Sequence, residues 1–479
     1  MNVRDLEPKI VWNHFSDLNA VPRPSKKEER VIKFMQDFGA KLALDTYTDA
    51  IGNVIIKKPA TAGMEDRQTV IIQSHLDMVH QKNSDTNFDF DTQGIEMYVD
   101  GDWVRANGTT LGADNGMGVA AIMALLSSED IAHPNIEALF TIDEETGMTG
   151  AMELEKGLLK GTILLNLDTE DDDEFSIGCA GGIDTNTTYK YAQASVIAGS
   201  QTYNIIVNGL NGGHSGVQIN EELGNANKIM NRLMYGCEDY NLQIINVDGG
   251  SLRNAIPRES FATIAASPAY LEELEQRTQA IKEEYSIQDP NLSIRVEATS
   301  QAVKAMSLED TIKVTTALYA VHNGVFRYSR AIEGLVETSS SLARVIVKEG
   351  EFITQSLQRS SLESGKYDVA YTVAAPFYLM GCEVQQKGDY PGWSPNPTSP
   401  ILDILVAKYK ELFNNEEPKV MAIHAGLECG LLGKRYPGLD MISFGPTIKG
   451  AHSPDERCGI KSTAKFWMFL KEILANVPK

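Results

Sequence analysis

Apolar positions three and four apart in KKEERVIKFMQDFGAKL (26–42) predict a helix that stops near a glycine, and residues 1–45 as a whole read as helical. From residue 51 the period shortens. NVIIKK (53–58) and TVIIQSHLD (69–77) predict strands, followed by a glycine-rich loop (109–116) and a strongly apolar helix, MGVAAIMALLSS (117–128). IEALFTIDEETG (136–147) then reads as a buried strand, 148–159 as a helix and GTILLNLDTED (161–171) as another strand. Strands that alternate with helices imply an α/β layer around a largely parallel sheet with helices on both faces.

After GCAGGID (178–184) the texture changes. QTYNIIVNGL, ESFATIAAS and LSIRVEATS alternate polar and apolar residues, which suits strands solvated on one face. Amphipathic helices are expected at 225–236, 268–286 and 307–324, with further strands in 341–361. GDYPGWSPNPTSP (388–400) reads as a linker, after which helix 399–413, strand 439–446 and helix 462–477 regain the first texture. The expected organisation is a discontinuous α/β domain, residues 1–185 and 395–479, interrupted by an inserted α+β domain at 186–394 that divides into two related lobes.

Composition narrows the function classes. Apolar residues make up 42% of the 479, ample for a packed core, so a disordered chain is excluded. The 43 Lys and Arg against 65 Asp and Glu leave a net charge of −22, which repels nucleic acid and anionic membranes and attracts cations. Five scattered cysteines without a C-x-x-C pair fit a reducing compartment. With no leader-like start and no long apolar run, a soluble cytoplasmic protein is expected.

The acids and histidines gather at the strand ends. His75 and Asp77 end one strand, Glu144 and Glu145 another, Asp168 a third, and Asp114 sits in the loop feeding a helix. In open α/β sheets this rim is where ligands bind. Acids crowded there repel one another, and a bound cation is the cheapest way to keep them ionised. Mixed imidazole and carboxylate donors suit zinc, with manganese or cobalt as alternatives. In His75-Leu76-Asp77 both side chains share a strand face, so Asp77 is placed to orient the imidazole. On a strand, Glu144 and Glu145 would point opposite ways, one to ligate and one to move a proton. Read singly, each has a plain structural alternative: a solvated strand end for the Glu pair, an N-cap for Asp114, ordinary turns for GGHSG (212–216) and GAHSPDE (450–456). His424 is ambiguous.

Taken in order, SHLDMV (74–79), TLGADNG (110–116), DEETGMTGA (143–151), LNLDTED (165–171), GGHSG (212–216), HAGLECG (424–430) and IKGAHSPDE (448–456) resemble the M20 family of metallopeptidases, on its dipeptidase branch. The resemblance implies a co-catalytic pair of metal ions, zinc first, with His75 and Asp168 on one, Glu145 and His452 on the other, and Asp114 on both. It implies that Asp77 orients His75 and that Glu144 is the general base. The insert becomes a lid whose His214 polarises the scissile carbonyl, with Asn254 near the substrate, Arg344 gripping its carboxylate and Gly426 lining the pocket. In many relatives that histidine comes from a partner subunit, so a homodimer through the lid is an expectation. The implied reaction is hydrolysis of Xaa-His and other unblocked dipeptides, β-alanyl-histidine included. The alternatives are an N-acyl-amino-acid deacylase or carboxypeptidase on the same centre, and a non-catalytic metal- or peptide-binding protein.

Overall fold

The computed structural model describes residues 2–479, and these divide into two compact units. The first comprises residues up to 178 with 395–422 and 428–479; the second comprises 179–394 with 423–427. The first crossing thus falls after Gly178, where the sequence pattern put it after residue 185. Among the described residues no helix is long and apolar enough to cross a membrane.

The first unit is built on an eight-stranded sheet. Its centre is four parallel strands, Ile136–Thr141, Val70–His75, Ile163–Asn166 and Asp440–Ser443 in that order. The first three are buried at every residue, as expected for short apolar runs covered on both faces. Val54–Lys58 and Asp45–Thr48 add antiparallel strands at one side, and Glu174–Cys179 pairs antiparallel at the other. The sheet is therefore mixed, with a parallel heart. A separate four-stranded sheet, with Met97–Asp100 and Trp103–Ala106 among its strands, had no clear apolar signal.

One expected strand is shorter than its pattern. The run 136–147 stays extended only to Thr141, because Asp143 adopts a left-handed backbone (φ 54°) and turns the chain into a short helix, Glu144–Gly147. Glu144 and Glu145 are thus neighbours on a helical turn, not residues on opposite faces of a strand as expected. Val70–His75 likewise ends at His75, so Asp77 stands just past the strand.

The second unit holds a nine-stranded antiparallel sheet. Its path runs Ser293–Ala298, Gln201–Asn208, Ser260–Ala266, Gln243–Gly249, Val336–Lys348, Glu351–Ser360, Gly181–Lys190, Glu383–Tyr390, and the ninth strand, Gly324–Tyr328, pairs with Val336–Lys348 off this path. Read along the chain, each half is strand, helix, strand, strand, helix, strand. One half uses helices Ala226–Met234 and Tyr270–Glu284, the other Leu308–Ala320 and Glu363–Met380. In both, the sheet order from the outer edge is fourth, first, third, second strand. The two second strands pair antiparallel at Val247 with Val347 and Gly249 with Val345, so the lobes meet about a local twofold. The first lobe is inserted between the first strand and the first helix of the other. The glycine-rich 178–184 stretch, where the sequence texture changes, is mostly strand: Gly181 starts the Gly181–Lys190 strand.

Candidate active site

His75 sits at the carboxyl end of a central strand and is fully buried. Its Nδ1 lies 3.3 Å from Asp77 Oδ1, which fixes the ring and turns Nε2 outward. That Nε2 is 3.2 Å from Asp114 Oδ1 and 3.5 Å from Asp168 Oδ1. The other oxygen of Asp114 is 3.2 Å from His452 Nε2, which is also 3.0 Å from Glu145 Oε2. One carboxylate therefore stands between two imidazoles, with a second acid beside each. These contacts unite all five residues of the expected metal set within the first unit.

The loops that carry them are held by further groups. Asp77 accepts the backbone N–H of Glu144 (3.0 Å) and Glu145 (3.3 Å) and the Ser25 hydroxyl (2.8 Å), so one carboxylate orients both His75 and the Glu144–Glu145 turn. Asp114 does not act as an N-cap, because both oxygens of its carboxylate face the imidazoles. Glu456 takes the work at that helix start, accepting the backbone N–H groups of Leu111, Gly112, Ala113 and Asp114 at 2.7 to 3.2 Å. Buried Arg23 donates to the carbonyls of Leu76, Asp77 and Gly112, tying the His75 loop to the Asp114 loop. Asn115 donates to Asp168 and to the Leu167 carbonyl. Sequence reading missed Glu456, Arg23 and Asn115 as functional supports. Glu456 and Asn115 lie inside the motifs quoted, but Arg23, in VPRPS, carries no pattern.

The electrostatics are those of a cation site. Burial alone would lower the His75 pKa, yet Asp168, Asp114 and Asp77 raise it well above the ordinary value. The hydrogen bonds that His452 donates to the Asp114 and Glu145 carboxylates hold it up at about 11. Burial pushes Asp168 to about 6, and Glu144 well above the usual carboxylate range. Glu145 Oε1 is buried with no hydrogen-bond partner among the described residues, and donor atoms of His75, Asp114 and Glu145 all lie within 4.8 Å of one another. The imidazoles offer at most two positive charges to a larger set of carboxylates. The donor chemistry and the orphaned oxygen both fit divalent metal.

The model of peptidase family M20/M25/M40 matches residues 71–476. The chain belongs to that family. This M20 member is therefore a metal-dependent peptide hydrolase. It is 41% identical over 478 residues to the cytosol non-specific dipeptidase of Escherichia coli K12, covering 99% of this chain and 98% of that protein. It superposes with a TM-score of 0.94 on the crystal structure of aminoacylhistidine dipeptidase from Vibrio alginolyticus, at 41% identity, over 100% of this chain and 99% of the other. The aminopeptidase PepT structure from Bacillus cereus shares the fold at a TM-score of 0.58 and 15% identity, covering 98% and 99% of the two chains.

The remaining expected residues lie in the second unit. His214 pairs with Ala255 in a two-residue ribbon, and Ser215 N–H donates to the Asn254 carbonyl (2.8 Å), so His214 and Asn254 come together. His214 Nδ1 accepts two backbone N–H groups, from Gly216 (3.1 Å) and Val217 (3.0 Å), which leaves the proton on Nε2. Burial and the Arg359 charge lower its pKa to about 4, so the ring is neutral. Arg344 is engaged elsewhere. It bonds Asp248 (2.5 Å) and the Gly250 carbonyl, bridging the two lobes. The arginine beside His214 is Arg359, which sequence reading missed. A Cβ built on Gly216 would fall 3.0 Å from Arg359 Nε and 2.1 Å from the His424 carbonyl oxygen. Arg359 is 4% exposed, gives one N–H to Tyr390 Oη (3.0 Å), and its Nε has no partner among the described residues. His424 packs there too, its Nε2 2.7 Å from Ser339 Oγ, and Gly426 follows it in the same 423–427 segment.

Proposed function

We propose that this chain is a cytoplasmic dipeptidase that hydrolyses unblocked dipeptides, Xaa-His and β-alanyl-histidine among them. The observation that carries this reading is the Asp114 carboxylate placed between His75 and His452, with the Glu144 turn fastened to the same Asp77 that orients His75. His75 and Asp168 would hold one divalent ion, Glu145 and His452 a second, and Asp114 both; zinc suits this donor set, with cobalt or manganese as substitutes. When bound, such a pair supplies the Lewis acidity that lowers a water's pKa from about 15.7 toward about 7.

The protein groups then have defined tasks. Glu144, whose proton affinity is raised by burial, takes the proton of the attacking water and passes it to the leaving amine. Asp77 keeps His75 in one tautomer and holds the Glu144 turn by its N–H. His214, locked with its proton on Nε2, donates to the developing oxyanion. Arg359 receives the substrate carboxylate: it is a buried cation beside two neutral imidazoles, and the nearby acid Asp184 is already taken by Arg253. Arg344 is spent on Asp248 and is not assigned that task. His214 and Arg359 come from the two lobes of the second unit.

The test is hydrolysis of β-Ala-His, Gly-His, Ala-Leu, a tripeptide and an N-acetyl amino acid with zinc, cobalt or manganese, beside Glu144→Ala. Cleavage of the free dipeptides alone, abolished in Glu144→Ala while metal stays bound, is the expected result. Cleavage of the acetylated substrate instead would make the chain a deacylase.

A further inference from the structure

Parallel strands buried on both faces are normally filled with aliphatic side chains, and most of this sheet obeys that rule. One row does not. Gln73, Asn166 and Ser443 are direct neighbours in register on three adjacent parallel strands, and all three are fully buried. Ser443 Oγ donates to Asn166 Oδ1, and Asn166 Nδ2 donates to Gln73 Oε1 (2.6 Å). Gln73 Nε2 donates to Glu428 Oε2 (2.6 Å), which also accepts from Thr141 Oγ1 (2.7 Å) on the fourth strand. A hydrogen-bonded belt thus crosses the whole parallel heart of the sheet and ends on a fully buried carboxyl group, the first residue of helix Glu428–Arg435. The outer oxygen of Glu428 has no partner among the described residues.

Stability does not require this arrangement. Interior polar groups have a desolvation cost, and well-packed apolar residues in their place are commonly neutral or stabilising. What directional bonds supply and aliphatic contacts do not is fixed lateral spacing and register. The belt lies one step beneath the metal ligands. Gln73 stands two residues before His75 and Asn166 two before Asp168, while Thr141 is the register partner of His75 and leads into the Glu144–Glu145 turn. Every strand that delivers a ligand or the base from the sheet end is therefore pinned by it.

We propose that Glu428 is a positioning residue for the metal centre, acting through Gln73 and Thr141 to set the spacing of the strands that present His75, Asp168 and Glu145. The proposal rests on the metal-centre reading above and not on the choice of substrate. Glu428→Leu removes the anchor and keeps apolar volume. Glu428→Gln keeps an oxygen for both donors. The probe is Co2+ alone: its absorption spectrum in the protein and its affinity by chelator competition, beside the melting temperature of the metal-free protein.

Glu428→Leu is expected to weaken cobalt binding by about 10- to 100-fold and to alter its spectrum, while the metal-free protein, in which Gln73 Nε2 and Thr141 Oγ1 lose their shared acceptor, still melts cooperatively but a few degrees lower. It should lower kcat with KM unchanged. Glu428→Gln should restore affinity and spectrum to within a few-fold of the parent. A Glu428→Leu protein that binds cobalt like the parent overturns the proposal, as does Glu428→Gln failing as badly as Glu428→Leu. If Glu428→Leu does not fold, Ser443→Ala at the far end of the belt decides: a changed cobalt spectrum supports the proposal and an unchanged one overturns it. Because cobalt binding is read without substrate, a chain that cleaves no dipeptide would sink the dipeptidase reading and leave this test intact.

Discussion

Replacing Arg359 with methionine keeps the apolar stem and removes the guanidinium. In the second unit that guanidinium gives one N–H to Tyr390 and has Nε unspent, while burial denies it solvent. A hydrogen bond to a charged partner contributes about 1.5–3 kcal/mol, and planar arginine-to-carboxylate contacts lie at the strong end. Loss of about 3 kcal/mol corresponds to about 100-fold in kcat/KM. The assay compares a free dipeptide with the same dipeptide carrying a C-terminal amide, for the parent and for Arg359→Met. The parent should strongly prefer the free acid. Arg359→Met should lose about 100-fold on the acid and at most a few-fold on the amide, so that the preference collapses. Arg344→Met, which breaks the bond to Asp248 across the lobe seam, should lower both substrates by the same factor. Equal losses on acid and amide in Arg359→Met would refute the reasoning, because a carboxylate receptor must discriminate between them.

Three further outcomes follow from the same geometry. Removing metal with a chelator should abolish turnover. Rebinding should release protons and weaken as pH falls, because His75 and His452 carry raised pKa values in the metal-free protein and must be neutral to ligate; calorimetry in buffers of different ionisation heat measures this. Glu456→Ala strips the acceptor from four backbone N–H groups around Asp114 and should weaken metal binding by about 10- to 100-fold, read by chelator competition. His424 is held at about 3 by burial, with Arg359 and His214 adding to the effect, against an ordinary value of 6.5. A depressed histidine leaves stability intact above 6.5 and removes it as pH falls toward 3, a loss of about 2–3 kcal/mol at pH 4.5. Urea unfolding at pH 7 and 4.5 should show this loss in the parent and a smaller one in His424→Gln.

The legible part of this protein is the part written locally. Runs such as VIIQSH and ILLN are short, apolar and bounded by polar residues, and chemistry at their ends can be read because a sheet of this class delivers its ligands there. The acidic run after Ile142 reads as strand from its sequence because its apolar approach gives no hint that Asp143 turns left-handed, a backbone choice set by what surrounds it: Thr146, Thr149 and Lys26 all bond its carboxylate. Arg344 and Arg359 show a different limit. Both sit on alternating strands of the second unit, in SSSLARVIVK and EFITQSLQRS, and nothing local separates them. Their fates are set by partners far away in sequence: Asp248 and the Gly250 carbonyl for one, the His214 turn and Tyr390 for the other. The pairing of the lobes at Val247 and Val347 explains why both arginines exist. A sheet made of two lobes joined edge to edge needs a clasp at its seam, and a neighbouring strand can then bring a second arginine to the histidine of the opposite lobe. That division of labour follows from topology, which no window of the sequence contains.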